Sequence, residues 1–243
     1  MRNKNLETTT PRRGFLGALA TGAAAIGLAT VASPINAIAE QNKHLITKDA
    51  DDADAWFNKV KGKHRIVFDA TTPHEIFPFA WPKVFLMTNA ATGSPEKDCT
   101  AVVILRHNAI AYAMEDNLWA KYKFAELFKI GEVGPAFRAA DAATATATRN
   151  PFLNTKPGDF AMPVFGDIPI GIKDLQASGV MFCVCNAALT VYSGIVAMQT
   201  KGNADDILKE FTAGVIPGIQ IVPSGVWAVG RAQEHGCAYC FVG

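Results

Sequence analysis

The stretch Val180–Leu189, VMFCVCNAAL, decides the fold. Val180–Cys185 is an uncharged run, and Ala187–Thr200 follows with helical spacing until Gly202 stops it. A short apolar run that passes straight into a helix reads as a strand covered on both faces. The same alternation recurs on either side. His64–Ala70 (HRIVFDA), Cys99–Leu105 (CTAVVIL), Ile219–Val222 (IQIV) and Cys237–Val242 read as strands. Phe79–Asn89, Asp116–Ile130, Ile172–Gly179, Asp205–Phe211 and Ser224–Glu234 read as helices, the last with Ser224 as its N-cap. Apolar strands alternating with helices predict an α/β fold. Its sheet is mainly parallel, with helices on both faces, in a Rossmann-like three-layer arrangement.

In such sheets ligands sit beyond the carboxyl ends of the strands. Candidate site residues therefore lie where a strand hands over to its helix. They are Thr71 to His74, Arg106-His107-Asn108, Cys185-Asn186 and Pro223-Ser224. Cys185 is the sharpest of them. A thiol just before a helix meets N-terminal N–H groups that favour the thiolate, the form that attacks sulfur or carbonyl centres. Arg106 and His107, with Asn108 beside them, suit an anionic or oxidised-sulfur ligand, and Asn186 joins them as a substrate-binding candidate.

The other thiols carry less. Cys183 precedes Cys185 by two residues, on the same face of the strand, and reads as a core thiol, the alternative being a Cys-x-Cys disulfide that would strain an extended strand. Cys237 and Cys240 form a Cys-x-x-Cys, but in a strand rather than at a helix start. A zinc site built from both pairs requires their two strands to adjoin. Cys99 reads as core. No metal or cofactor is assigned. No GxGxxG, GxxxxGK[ST] or GxSxG occurs, so dinucleotide, nucleotide and serine-hydrolase readings lack their markers.

Residues 1–39 read as an export signal. Arg2, Lys4, Arg12 and Arg13 are followed by an uncharged stretch from Gly14 to Ala32, and Ala37-Ile38-Ala39 precedes Glu40 as a cleavage site. The Arg12-Arg13 pair ahead of Gly14-Phe15-Leu16 marks the twin-arginine route, and hence a periplasmic mature protein. A lead-in at 40–63 and a single domain at 64–243 follow. Within that domain, residues 132–168 carry four prolines and an Ala/Thr alternation, and read as an insertion loop outside the sheet. A net charge of +1 excludes a polybasic nucleic-acid or membrane surface, and no stable membrane span is expected after cleavage. Five cysteines are too few for a disulfide-built scaffold.

Three segments carry a family resemblance. They are Val184-Cys185-Asn186-Ala187-Ala188-Leu189, Gly218 to Val226 (GIQIVPSGV), and Arg231 to Tyr239 (RAQEHGCAY). Together they resemble the DsrE/DsrF-like sulfur-relay family, in its exported subgroup with twin-arginine signals. The likeness is most specific over residues 180–241, looser over 64–130, and absent from 132–168. It implies a Rossmann-like fold and homo- or hetero-oligomers, with a homo-oligomer expected here. It also implies one cysteine, corresponding to Cys185, that accepts and passes sulfane sulfur. The partner is then a small sulfur species or a sulfur-carrier protein. The alternative is a non-catalytic periplasmic binding or assembly module on the same fold.

Overall fold

The structure, a computed structural model, describes residues 50–243. The signal segment, its Arg12-Arg13 pair and the Ala39 cleavage site lie outside the described residues, as do residues 40–49 of the 40–63 lead-in. The chain enters through helix α1 (Ala50–Trp56) and a 3-10 turn at Phe57–Lys59, then runs into β1 (His64–Ala70). Helix α2 (Phe77–Ala91) leads to β2 (Cys99–Leu105). A 3-10 stretch at His107–Ala113, α3 (Asp116–Tyr122), α4 (Phe124–Leu127), α5 (Ala145–Thr148) and a small pair, β3 (Ala161–Met162) and β4 (Gly166–Asp167), follow. Then come α6 (Ile172–Ala177), β5 (Met181–Cys185), α7 (Asn186–Thr200) and α8 (Ala204–Ala213). Finally β6 (Ile219–Val222), α9 (Gly225–Glu234) and β7 (Ala238–Val242) close the chain.

Five strands form one sheet in the order β6-β5-β2-β1-β7, every neighbouring pair parallel. The chain steps from β1 through β2 and β5 to β6, then jumps back to the far side of β1 for β7. Right-handed crossovers put the helices of the first three steps on one face and the helix of the reversed step on the other. The burial follows that rule. Phe68, Val103, Leu105, Phe182 and Val184 pack with Phe79 of α2, Leu175 of α6, Leu189 of α7 and Phe211 of α8. Val67, Val102, Ile104, Cys183 and Val222 pack instead with Ala228 and Ala232 of α9 and with Ala53, Trp56 and Phe57. The fold is thus a three-layer α/β sandwich on a wholly parallel sheet.

Two expectations need correction. The stretch Asp116–Ile130 is not one helix. Lys123 adopts the left-handed conformation, with φ 50° and ψ 55°, and divides α3 from α4. Trp119 and Phe124 stand about 140° apart on a continuous helix. The break turns both inward, and both are fully buried. The segment 132–168 takes no place in the five-stranded sheet, yet it is no loose insertion. Phe137, Phe152 and Phe160 are buried within it, and Phe152 stacks on Phe79 with ring centroids 3.9 Å apart. Asn150, also buried, donates to the carbonyls of Tyr112 and Met114 and accepts from the Phe152 amide. The segment therefore forms part of the wall over the α2 and α7 side of the sheet.

Candidate functional site

Strand order determines what meets at the carboxyl edge. The ends of β6, β5, β2 and β1 stand in a row, bringing Pro223, Cys185, Arg106 and Thr71 side by side. Leu105 pairs with Val184, so the next residues along, Arg106 and Cys185, leave neighbouring strands at the same level. The Pro223 carbonyl accepts from the Ala187 amide, which ties the start of α7 to the end of β6.

Cys185 is the N-cap of α7. Its Sγ accepts from the Ala188 amide at 3.3 Å, so the thiol does take the position at a helix start that the sequence suggests. It is buried, with 6% of its surface exposed. Cys183 lies deeper, on the α9 side of the sheet, and burial pushes its thiol far up, with the charges of Cys185 and Asp69 adding to the effect. The remaining thiols are also pushed up. Burial takes Cys237 to about 11 and raises Cys240. Burial and the nearby Asp98 and Glu96 raise Cys99. Cys99 is not the core residue expected; it is half-buried at the opposite end of β2, lining a cleft of about 220 Å³ with Leu86 and Met87. All five cysteines are free. Strands β5 and β7 are separated by β2 and β1, so the two cysteine pairs do not meet. Among the described residues no cluster of three or more His, Cys, Asp or Glu side chains forms a metal site.

Arg106 is engaged by a residue the sequence reading passed over. Asp69, near the end of β1, is buried, and its carboxylate accepts from Arg106 Nε at 2.6 Å and Nη2 at 2.9 Å. The Tyr239 hydroxyl of β7 donates to the same carboxylate at 2.8 Å. The Asp69 hydrogen bond holds the Arg106 guanidinium charged well above its ordinary range, with smaller contributions from Tyr239 and Cys185. The signal that could have revealed Asp69 is its position in HRIVFDA, where a charge stands two residues from the buried Val67 on the same face. Gly225 completes the arrangement. A Cβ there would fall 2.5 Å from Arg106 Cβ and 2.6 Å from Cδ, so only glycine lets α9 close over the arginine stem.

The other candidates are placed as follows. His107 is exposed, opens the 3-10 stretch with φ 50°, and its ring lies 6.2 Å from that of Tyr192. Asn108 accepts a hydrogen bond from the Tyr192 hydroxyl, so its side chain is already committed to α7. Asn186 is half-buried and is the first residue of α7. Ser224 caps α9 by accepting from the Trp227 amide, as the sequence predicts. The Thr71 hydroxyl donates to the carbonyl of Gly243 and ties the chain terminus to the end of β1.

The ion pair should dominate the local stability in an asymmetric way. Arg106→Met leaves the Asp69 carboxylate, only 2% exposed, with a single donor, and the expected cost is about 3–5 kcal/mol. Asp69→Leu costs less, about 1–2 kcal/mol, because the arginine side chain is 27% exposed and can turn to water. The double variant should recover most of the loss of Arg106→Met in urea unfolding. A double variant as weak as Arg106→Met would show that packing, not charge, sets the cost.

No family model matches the chain, and no curated protein matches it. Among solved structures, the protein of unknown function MTH1491 from Methanobacterium thermoautotrophicum is similar at 14% identity, over 74% of this chain and 99% of its own, with a TM-score of 0.37.

Proposed function

We propose that this chain is an exported sulfur-handling protein in which Cys185 accepts sulfane sulfur and passes it on. The observation that carries the reading is the site of the thiol. Cys185 caps a fifteen-residue helix at the carboxyl edge of a parallel sheet, level with a fixed arginine on the adjoining strand. A helix N-terminus and a cation both favour thiolate and, later, persulfide anion. In the accepting step the Cys185 thiol first loses its proton to solvent. Its thiolate then attacks a sulfane sulfur of a polysulfide, a new S–S bond forms, and the shortened polysulfide leaves with the electron pair of the broken bond. The product is a Cys185 persulfide. Arg106 balances its charge, and His107 and Asn186 at the same edge contact the incoming sulfur species. Asn108 supports this edge through Tyr192.

The donor or acceptor is a small sulfur species or a sulfur-carrier protein, and a homo-oligomer belongs to the same reading. Exposed Trp81, Val84 and Phe165 supply apolar surface for it. The DsrE-like likeness of the three quoted segments supports the assignment. The burial of Cys185 favours the rival, a binding or assembly module that uses the fold without the chemistry. Mass measurement of the purified full-length protein after exposure to polysulfide separates the two. Added sulfur mapped to the Cys185 peptide is expected; an unchanged mass would carry the binding module.

Export belongs to the proposal as well. Replacing Arg12 and Arg13 with lysine should hold the protein in the cytoplasm, whereas the exported wild type should begin at Glu40. Normal export of the lysine variant would remove the twin-arginine route while leaving a signal segment in place.

A further inference from the structure

The two outer strands of the sheet are not alike. Strand β6 is provided for: α1 packs on it, and the Gln220 side chain folds back to donate to the Ile221 carbonyl at 3.0 Å. Strand β7 (AYCFV) pairs with β1 on one side and with no strand on the other. Outside that ladder, among the described residues, only the Cys240 thiol, 3.8 Å from the Phe241 carbonyl, meets a β7 backbone group. An edge strand turns alternate N–H and C=O groups outward, where they template another strand, and soluble proteins commonly block them with charge or proline. Ala238–Val242 contains neither. It carries exposed aromatics instead. Tyr239 and Phe241 are 47% and 57% exposed, and their pairing with Val67 and Asp69 sets both on the α9 side of the sheet. Cys240, half-buried, packs on the α2 side. The bond from the Tyr239 hydroxyl to Asp69 holds one of the two rings in place in advance.

We propose that β7 is an interface between two copies of this chain, pairing antiparallel with β7 of the second copy so that two five-stranded sheets become one of ten. Symmetry selects the register. A two-fold axis normal to the sheet keeps every residue on its own face, and directly opposed residues share a face. The residue at the axis therefore opposes itself, and full overlap of Ala238–Val242 puts Cys240 there. Tyr239 then opposes Phe241 of the second copy, and Phe241 opposes its Tyr239. One contact thus yields two aromatic cross-strand pairs on the α9 side, and Ala238 opposes Val242 at each end. No charge meets a like charge along the strand, so the edge is complementary to itself. The surface is distinct from that of Trp81, Val84 and Phe165. It gives a place to the oligomer of the functional reading but rests on the edge strand, not on sulfur chemistry. Strand pairing alone buries less than a standard interface of about 1,600 Å², so the dimer should depend on concentration.

The test is the mass of the full-length protein in solution, by light scattering over a concentration series. A rise towards twice the monomer mass is expected. Phe241→Lys puts a charge on the edge and removes both aromatic pairs at once, so the dissociation constant should rise at least about tenfold. Should that variant not fold, Ala238→Lys, at an exposed position of the same edge, decides in its place. Phe165→Lys, on the other apolar surface, should leave the dimer as it is. Diamide should take two protons and two electrons from the paired thiols and leave a Cys240–Cys240 disulfide between copies, absent from Phe241→Lys. A protein that stays monomeric, or a dimer that Phe165→Lys dissolves and Phe241→Lys does not, would overturn the proposal. A cross-link between copies at Cys99, or a dimer without the Cys240 cross-link, would overturn the self-opposed register. A monomer that takes up sulfur would remove this interface and leave the sulfur reading; a β7 dimer that takes up none would do the opposite.

Discussion

Phe152→Ala is expected to lower stability by about 3–5 kcal/mol, the range for emptying an aromatic site in a packed core. Phe152 is fully buried. Its ring stacks on Phe79 of α2 at 3.9 Å, meets Tyr112 edge-on at 5.1 Å and stacks on Phe160 at 5.2 Å. Truncation removes contacts to three other rings at once, and the neighbours on α2 and the 3-10 stretch are held by their own packing. The backbone beside it is fixed by Asn150, so the cavity has little means of collapsing. The control lies in the same segment. Phe165 is 62% exposed, and Phe165→Ala should fall within about 0.5 kcal/mol of wild type. Urea unfolding of both variants checks the pair. A loss below about 1 kcal/mol at Phe152 would return residues 132–168 to the status of a detachable insertion.

That segment also shows where the sequence is silent. Strands and helices were legible because burial there repeats: His64–Ala70, Cys99–Leu105 and Ile219–Val222 take the bounds that their apolar runs suggest. Residues 132–168 bury Phe137, Ala145, Phe152 and Phe160 at irregular intervals between turns, so no period marks them as core. Their prolines and Ala/Thr alternation describe the backbone and say nothing of the aromatic wall they join. The Lys123 break was hidden for a related reason. No glycine or proline stands there, and the left-handed turn comes from the demand of Trp119 and Phe124 for the same core.

The site divides in the same way. Cys185 was visible because a strand end and a helix start meet at one residue. Arg106 was visible as a charge closing an apolar run, but its neighbour was not. Adjacency of β2 and β5 is a property of strand order, which five similar apolar runs do not specify. Asp69 needed that order as well, since its partners come from β2 and β7, 37 and 170 residues away in the chain. Once the order is known, a charge at a buried register position must be paired.

Cys185→Ser is expected to abolish sulfur uptake from polysulfide while leaving the fold intact. Serine is a favoured N-cap, and its Oγ can accept from the Ala188 amide as Sγ does, so α7 keeps its first turn. Loss of uptake then cannot be laid to unfolding, and urea unfolding should show a midpoint at or slightly above that of wild type. The remaining thiols are poor substitutes. A thiol at about 11, as at Cys237, is ionised in only about one part in ten thousand near pH 7. Cys183 is sealed in the sheet and pushed up further. Cys99 and Cys240 are more open than Cys185 but are also pushed up, and neither stands at the N-terminus of a helix. Exposure and position at a helix start therefore point to different cysteines, which makes the experiment discriminating. The 6% exposure of Cys185 admits a thin, unbranched sulfur chain more readily than a bulky alkylating reagent, so small iodoacetamide rather than a maleimide is the matching probe. If Cys185→Ser keeps its sulfur and the mass maps to Cys99 or Cys240, accessibility governs the reaction and the strand-end thiol has only a structural place in a binding module.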